Sequence, residues 1–480
     1  MLKYCMKMLV FGFVGFAAAA NADIYLKKSP VAKQNKSDEF LHQLWKKNKL
    51  AIPLEASDNV MVRRLYIDLA GRVPTVQEAK KYISSKKADK QSELVAQILS
   101  SEEHSMFWTM RFGDELRVKS EFPINLWPNA AFLYSRVIYD FLKSNMAYDR
   151  FTEKLLTAQG SNFRNGYANF FRAVPQKNAQ EIANAVTVFF LGCDFKSLKN
   201  DEQKKLLEAF NAVRFKSTRE WKEEIVYSLQ TPDNDSRKVY VQSLLKDDRF
   251  AETFVRKVWR WLFGSTEVSD EIIRHYAEFF RENKFNVRKL VNEICTSGAY
   301  RAGCFYNCES AEDYDKAVKY GAVYPVRRID AEVLADSIAQ ITGQPYSYSS
   351  VIPEPFSFYH NRAAALTDGS VTDSFLMLFG RPSRDSGAVD ERKNDITPDQ
   401  RLYLFNSSDL YMRLQRMWSG KLKKEKDKLS MLYWLFYSRP MSRQERNTFR
   451  AMQKKYKNNW QVLRSMPWVL LNSKEFLYQH

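Results

Sequence analysis

Residues that bind metals or act as nucleophiles are scarce in this chain of 480 residues, which has five histidines and five cysteines. The histidines are scattered, and Cys304 and Cys308 have no second Cys or His pair at the spacing of a zinc site. The serine elbow GxSxG, the zinc helix HExxH, the phosphate loop GxxxxGKS and the dinucleotide fingerprint GxGxxG are absent as well. The sequence therefore predicts no metal and no catalytic residue. It leaves enzymatic activity uncertain, with a non-enzyme favoured.

Long apolar runs are also missing, apart from one at the N-terminus. Residues 1–22 have the pattern of a secretory signal, because Lys3 and Lys7 precede an apolar core at 8–20 that ends in a small-residue cleavage site. The core is shorter than the roughly 20 residues that a membrane-spanning helix requires. We therefore predict export to the periplasm or the cell surface, with no membrane span after cleavage. A retained N-terminal anchor is the alternative.

Acidic residues are outnumbered, since 74 Lys and Arg residues stand against 56 Asp and Glu residues and give a formal net charge of +18. In an exported protein this excess favours anionic surface polymers, lipid head groups or acidic and sulfated glycans as partners, and it disfavours nucleic acid. A solvated basic surface without a specific partner is the other interpretation.

Four cysteines follow the signal segment, namely Cys193, Cys295, Cys304 and Cys308. An even number of cysteines in an oxidising compartment favours disulfides over a metal site. Two disulfides are expected at most, and the sequence leaves all three pairings open.

Apolar residues recur at helical spacing over most of the chain, which predicts a mainly α protein with long irregular loops. Residues 23–37 are polar and rich in lysine, and we expect them to form a flexible lead-in. Residues 231–236 carry no large apolar side chain and are typical of a linker. The predicted domains are therefore an N-terminal helical domain at 38–230 and a C-terminal helical domain at 237–480.

The densest mixture of charge and turn residues lies at 379–410. Gly380 and Pro382 predict an irregular loop, followed by a helix that Thr397 caps. Its candidate ligand-binding residues are Arg381, Arg384, Asp385, Glu391 and Arg392. They form either an internal lattice of guanidinium and carboxylate groups or a recess that binds a carboxylate, sulfate or phosphate.

The helix after Thr397 is expected to start at Pro398, and its residues Leu402, Leu404 and Phe405 are expected to begin a buried face.

Three further candidates, Trp108, Asp114 and His360, lie outside this loop. Trp108, Arg111 and Asp114 recur at a spacing of three, so they share one helical face. They are either a structural Trp with an Arg/Asp pair or, if that face opens into a cleft, part of a binding site. His360 ends an aromatic-rich arm at 344–360, but no nucleophile can be assigned to it as a catalytic base.

Residues 160–171 are rich in Asn, Gly and aromatics, which predicts a surface loop. Its aromatic rings beside Arg164 either stack on sugar rings or pack onto the domain. The second arrangement is the more common one.

Five strings in the chain resemble the secreted bacterial planctomycete cytochrome-c-associated domain pair, a family of largely unknown function. They occur in the family's order across nearly the whole mature chain. The strings are RLYIDLAGRVPT at 64–75, FVRKVWRWLFG at 254–264, RRIDAEVLADSIAQITG at 327–343, the loop at 379–410 and WVLLNSKEFLYQH at 468–480.

The chain departs from the resembled family at two positions. Many relatives have a haem-attachment motif, CxxCH, after a helix ending in Leu-Gly, whereas here Gly192 precedes a lone Cys193 with no nearby histidine. Relatives also often have Cys-x-Cys where this chain has Ala388 and Asp390. The resemblance therefore implies that this member has lost any haem or thiol chemistry of its relatives, and we expect no cofactor.

Three functional hypotheses remain. The first is an exported, non-catalytic binding or scaffold protein that works with an anionic polysaccharide, or with a co-exported enzyme or cytochrome. The second is a polysaccharide hydrolase that uses Asp385 and Glu391 as paired carboxylates. The third is a redox or haem-associated protein, which follows from the resemblance alone.

Overall fold

The computed structural model describes residues 22–348, 361–456 and 459–480. It is 60% helical, with 6% of residues in small sheets, so the prediction of a mainly α fold is confirmed. Within those ranges no helix has the length and apolar character needed to cross a membrane. The predicted signal up to residue 21 and the candidate His360 lie outside the described residues.

The described part of the first half of the chain is a series of short helices with a few short strands among them. In chain order its elements are α1 (Ala22–Tyr25), β1 (Leu26–Pro30), α2 (Lys36–Lys47), β2 (Leu54–Ala56), α3 (Asp58–Ala70), α4 (Val76–Ser84), α5 (Lys90–Ser100), α6 (Glu102–Glu115), α7 (Pro128–Lys143), α8 (Tyr148–Leu156), β3 (Gly160–Ser161), α9 (Asn169–Arg172), α10 (Ala179–Val186), a π turn (Thr187–Leu191) and α11 (Asn200–Phe210).

The second half starts with a β-hairpin and is otherwise helical. Its elements are β4 (Val213–Ser217), β5 (Glu224–Ser228), α12 (Ser236–Leu244), α13 (Asp248–Phe263), α14 (Asp270–Glu282), α15 (Val287–Thr296), α16 (Gly298–Arg301), α17 (Ala311–Lys319), β6 (Arg327–Arg328), α18 (Ala331–Thr342), α19 (Ser374–Leu378), α20 (Pro398–Asn406), α21 (Ser408–Arg416), α22 (Lys428–Tyr437), α23 (Arg443–Tyr456), α24 (Asn459–Leu471), α25 (Lys474–Leu477) and β7 (Tyr478–Gln479).

Three small antiparallel sheets join distant parts of the chain. β1 pairs with β2, β5 lies between β3 and β4, and β6 pairs with β7. The last pair joins the C-terminal residues to the segment before α18.

Local sequence signals explain several helix ends. Thr75 and Glu78 form a reciprocal capping box at the start of α4. Thr397 likewise caps α20, with Pro398 in its first turn. Gly343 ends α18 in the left-handed conformation, with a φ of +68° that costs glycine little.

Two local predictions are wrong. The segment predicted as a flexible lead-in, 23–37, contains β1, and Val31 behind it is 2% exposed, because β1 hydrogen-bonds to β2 and thereby joins the core. Of the predicted buried face on α20, only Leu404 is buried, whereas Leu402 and Phe405 are 59% and 36% exposed. Helical spacing puts residues on one side of a helix but does not say which side meets other elements.

One continuous hydrophobic cluster extends through both predicted domains, from Leu41 to Phe476. The predicted linker at 231–236 is a short 3-10 turn, and Asp235 at its end is buried in an ion pair with Arg237. The domain boundary itself stays a prediction.

Asp68, near the end of α3, is a buried carboxylate with four side-chain donors. Its side chain accepts hydrogen bonds from Tyr300 (2.7 Å), Tyr324 (3.2 Å), Arg327 (2.5 Å) and Gln479 (2.8 Å). We call Asp68 and these four residues the Asp68 hub. Burial raises the pKa of the Asp68 carboxyl, while the Arg327 guanidinium acts against that change.

Four of the five family strings meet at this hub. Asp68, Arg327 and Gln479 belong to the strings at 64–75, 327–343 and 468–480, and the carbonyl of Leu262, from the string at 254–264, accepts a 2.7 Å hydrogen bond from the Tyr324 hydroxyl. These strings therefore hold the fold together.

Candidate functional site

The guanidinium of Arg384 is fully buried against α6. It donates to the Asp114 carboxylate at 2.8 Å and to the carbonyl of Thr367 at 2.5 Å. Gly369 lies against its side chain, and a Cβ at that position would lie 2.8 Å from the Arg384 Cδ. Arg384 therefore fixes the loop at 379–410 to the first half of the chain.

Arg392 and Arg381 are held in the same way. Arg392 donates to Asp114 and to Glu332, both at 2.7 Å, and these carboxylates hold its pKa well above its usual range despite burial. Arg381 is 8% exposed and donates to the carbonyls of Val371 and Asp368. All three loop arginines thus contact protein groups and form an internal lattice.

The two carboxylates considered for hydrolysis have different partners. Asp385 accepts from the Lys119 ammonium at 2.6 Å, and Glu391 accepts from the backbone and the hydroxyl of Ser386. The first bond joins the loop to the segment after α6, and the second ties the loop together locally.

The face of α6 is also committed to the interior. The Trp108 indole N–H donates to the carbonyl of Asp68 at 3.2 Å, and Trp108 is fully buried. Arg111 pairs with Asp330 at 3.0 Å and not with Asp114. The expectation of an ion pair between Arg111 and Asp114 on the face of α6 is therefore wrong. Asp114 lies one turn beyond Arg111, and the loop arginines bind it instead.

Cys193, Cys295, Cys304 and Cys308 are free thiols, so the predicted disulfides are not observed. Cys193 follows the π turn, Cys295 is buried in α15, and Cys304 lies near the edge of β2. Burial raises the pKa of the thiols of Cys193, Cys295 and Cys304, which favours their protonated form at neutral pH.

The aromatic loop at 160–171 packs onto the protein. Phe170 and Phe171 are 3% and 0% exposed, and Asn169, fully buried, donates to the carbonyl of Asn162 at 2.9 Å. Arg164 is exposed and contacts Glu220. Phe170 and Phe171 therefore cannot stack on a sugar.

A cavity of about 430 Å³ lies between the end of α6, the π turn, α13 and residues 386–387 of the loop. We call it the arginine cleft. Its charged lining residues are Arg117, Arg249, Arg256, Lys257, Arg260, Glu115, Asp194 and Glu252. Among the lining residues, cations outnumber acids by five to three.

Most of these cations already have carboxylate partners. Lys257 and Arg260 both bind Glu115, the latter at 2.5 Å. Arg249 is held by Glu202 and Asp247, which together raise its pKa. Lys257 also lies 3.7 Å from the centre of the Phe189 ring, and its burial lowers the pKa of its ammonium. These groups are held in position, and Glu115, Glu202 and Asp247 offset their charge.

Arg256 is likewise paired, with Asp270 at 2.5 Å.

Arg117 differs from the other cations of the cleft. It is partly buried, and it makes no hydrogen bond or ion pair with any residue in the part of the chain that the structure describes. Burial lowers the pKa of its guanidinium, so leaving it without a partner costs free energy. A bound anion would remove that cost.

The backbone at Arg117 is also unusual. Its φ is +58°, in the left-handed region that non-glycine residues seldom adopt. Gly387 packs directly against it, since a Cβ there would lie 2.9 Å from the Arg117 Cγ. Strained residues of this kind concentrate at functional sites.

The two segments that lack the cysteine motifs of the similar family, at Cys193 and at 388–390, both lie at this cleft. Gly192 and Cys193 line it, and so does Gly387, next to Ala388. Within the described ranges no three His, Cys, Asp or Glu side chains are grouped to hold a metal ion. The absence of a cofactor stays a prediction.

Sequence reasoning found the loop that closes the cleft but missed Arg117. The cleft is built from segments near 117, 190, 250 and 386, which no short motif joins. Its only local signal was a cation just after the end of a helix.

The fold and cleft define a helical protein with a basic cavity and no metal cluster in its described residues. The family model PSCyt2, a protein of unknown function (DUF1549), matches residues 36–197, and PSD1, a protein of unknown function (DUF1553), matches residues 245–453. The chain belongs to the planctomycete cytochrome-c-associated domain pair. No curated protein and no solved structure matches the chain.

Proposed function

We propose that this protein is an exported, non-catalytic binding protein whose arginine cleft takes a carboxylate or sulfate group of an acidic glycan. The observation that carries this proposal is the unpartnered guanidinium of Arg117 at a cavity whose other cations already have carboxylate partners. Export to the periplasm or cell surface is part of the proposal and rests on the signal pattern of residues 1–22.

The chemistry of the cleft supports an anionic ligand. A guanidinium donates two parallel hydrogen bonds to a carboxylate or sulfate, and such charge-assisted pairs are the strong ones. The neighbouring cations need not move, because Glu115, Glu202 and Asp247 already hold three of them. A cavity of about 430 Å³ falls within the usual size of a small-ligand site.

The same chemistry favours a glycan over a co-exported enzyme or cytochrome, because a recessed arginine suits a small charged group. The hydrolase alternative gains no support, because Asp385 and Glu391 line none of the cleft and are held by Lys119 and Ser386. A redox role has no observation in its favour among the described residues.

The test measures binding of polygalacturonate and chondroitin sulfate by calorimetry at low and high ionic strength, with uncharged dextran as the control ligand. We expect binding of at least one acidic glycan that weakens with salt. Arg117→Asn removes the charge while suiting the left-handed backbone, and it is expected to weaken binding by about ten- to hundredfold.

Lys49→Asn is the matched control. Lys49 is an exposed cation with a φ of +57°, close to that of Arg117, and it does not line the cleft. Its substitution is expected to leave affinity unchanged. Equal losses of affinity in both variants would mean that the net charge of the protein, and not the arginine cleft, determines binding. An absence of binding to any acidic glycan at low salt would contradict the proposal.

A further inference from the structure

A second cavity, of about 620 Å³, lies beside the turn that joins β4 to β5. It shares no lining residue with the arginine cleft. Its most conspicuous member is Trp221, which is 67% exposed although tryptophan is usually well covered. We call this cavity the tryptophan groove.

Trp221 is held in a defined orientation. Its ring meets Trp127 edge to face, with centroids 4.2 Å apart and an angle of 72°. The turn that carries it is anchored by Glu223, which is 5% exposed and accepts from the hydroxyls of Ser161 and Thr218. The exposed indole therefore has a fixed orientation in which it can contact a ligand.

Polar groups surround the indole. Glu224 binds both Arg172, at 2.5 Å, and Lys177, at 2.7 Å, so these groups are fixed along the groove. Arg219 is exposed and has no ion pair with any residue of the described ranges. The groove therefore offers one flat apolar face and several planar hydrogen-bonding groups at its edge.

We propose that the tryptophan groove binds a neutral sugar ring of a polysaccharide chain. One face of a pyranose presents C–H groups that pack on an indole, while its equatorial hydroxyls point outward to groups such as Arg172 and Glu224. A flat aromatic ligand would not use those hydrogen-bonding groups, and a protein surface needs more apolar area than a single indole offers. This site goes beyond the arginine cleft and does not depend on it.

The test uses the full mature chain and neutral polymers. Retention on insoluble cellulose, xylan and β-1,3-glucan is measured first, and soluble oligosaccharides of the retained polymer are then titrated by tryptophan fluorescence. We expect binding to at least one polymer that is insensitive to salt. Trp221→Ala is expected to weaken it about threefold to tenfold.

Trp460→Ala is the matched control, because Trp460 is 50% exposed and also meets a second tryptophan, Trp418, edge to face. It is expected to bind like the wild type, and so is Arg117→Asn. Failure to retain any neutral polymer, or equal losses for the two tryptophan variants, would overturn the inference. Loss of neutral binding in Arg117→Asn would also overturn it, since the two sites would not be separate.

Discussion

The Asp68 hub and the arginine cleft both contain arginine and carboxylate side chains, but they leave these charges in different states. At the hub, the carboxylate of Asp68 has four donors and Arg327 lies on it at 2.5 Å. In the cleft, Arg117 has no partner among the described residues. A charge that neighbours satisfy contributes to the fold, whereas a charge left open to a cavity is available for a ligand. The variants below test this difference, in order of their expected effect on stability.

The largest effect is expected at the hub. Asp68→Ala would leave the guanidinium of Arg327 buried without a counter-charge, which costs about 3–5 kcal/mol of unfolding free energy. Urea unfolding followed by circular dichroism measures the loss. Asp140→Ala, which breaks the exposed pair with Arg136, is the control and is expected to cost less than about 0.5 kcal/mol. Similar losses in the two variants would contradict the role of the hub.

A smaller loss is expected where the loop meets α6. Asp114→Asn weakens two charge-assisted bonds, from Arg384 and Arg392, and is expected to cost roughly 1.5–3 kcal/mol. The same variant separates the two interpretations of the loop arginines. If they form a lattice, stability falls and glycan affinity stays. A loss of affinity with unchanged stability would instead make the loop a ligand recess.

A pH dependence is expected from His104, which is 1% exposed in α6 with its Nδ1 3.0 Å from the carbonyl of Leu69. Burial lowers its pKa to about 3, from an ordinary value of 6.5. Between these values the unfolded chain binds a proton that the folded chain does not, so stability is present above pH 6.5 and falls as the pH decreases.

The slope of this loss is about 1.4 kcal/mol per pH unit in the lower part of that window. Urea unfolding at several pH values is expected to show a shallower slope for His104→Gln than for the wild type. Parallel slopes would assign the acid sensitivity to other groups.

Features that depend on neighbouring residues could be predicted from the sequence, and features that depend on distant ones could not. The caps at Thr75 and Thr397 and the glycine stop at Gly343 follow from short patterns. Leu402 is exposed although its helical spacing predicts burial, because spacing carries no information on which elements a helix packs against. Arg111 forms its ion pair with Asp330, which lies 219 residues away and which no local pattern connects to it.

The two candidate sites were missed for the same reason. Arg117 enters the cleft only because α13 and the loop at 386–387 fold against it. Trp221 had a weak local signal, a tryptophan with charged residues on both sides at 219–224. That pattern indicates exposure but does not reveal the Trp127 ring that orients it.

The smallest effect on stability is expected at Arg117, where the effect on binding is expected to be largest. Arg117→Asn removes a partly buried charge that no described residue compensates, and asparagine tolerates a φ of +58° better than arginine does. The unfolding free energy is therefore expected to change by less than about 0.5 kcal/mol, or to rise. A loss of unfolding free energy as large as that of Asp114→Asn would mean that Arg117 has stabilising partners in the folded protein. The contrast between the hub and the cleft would then no longer hold.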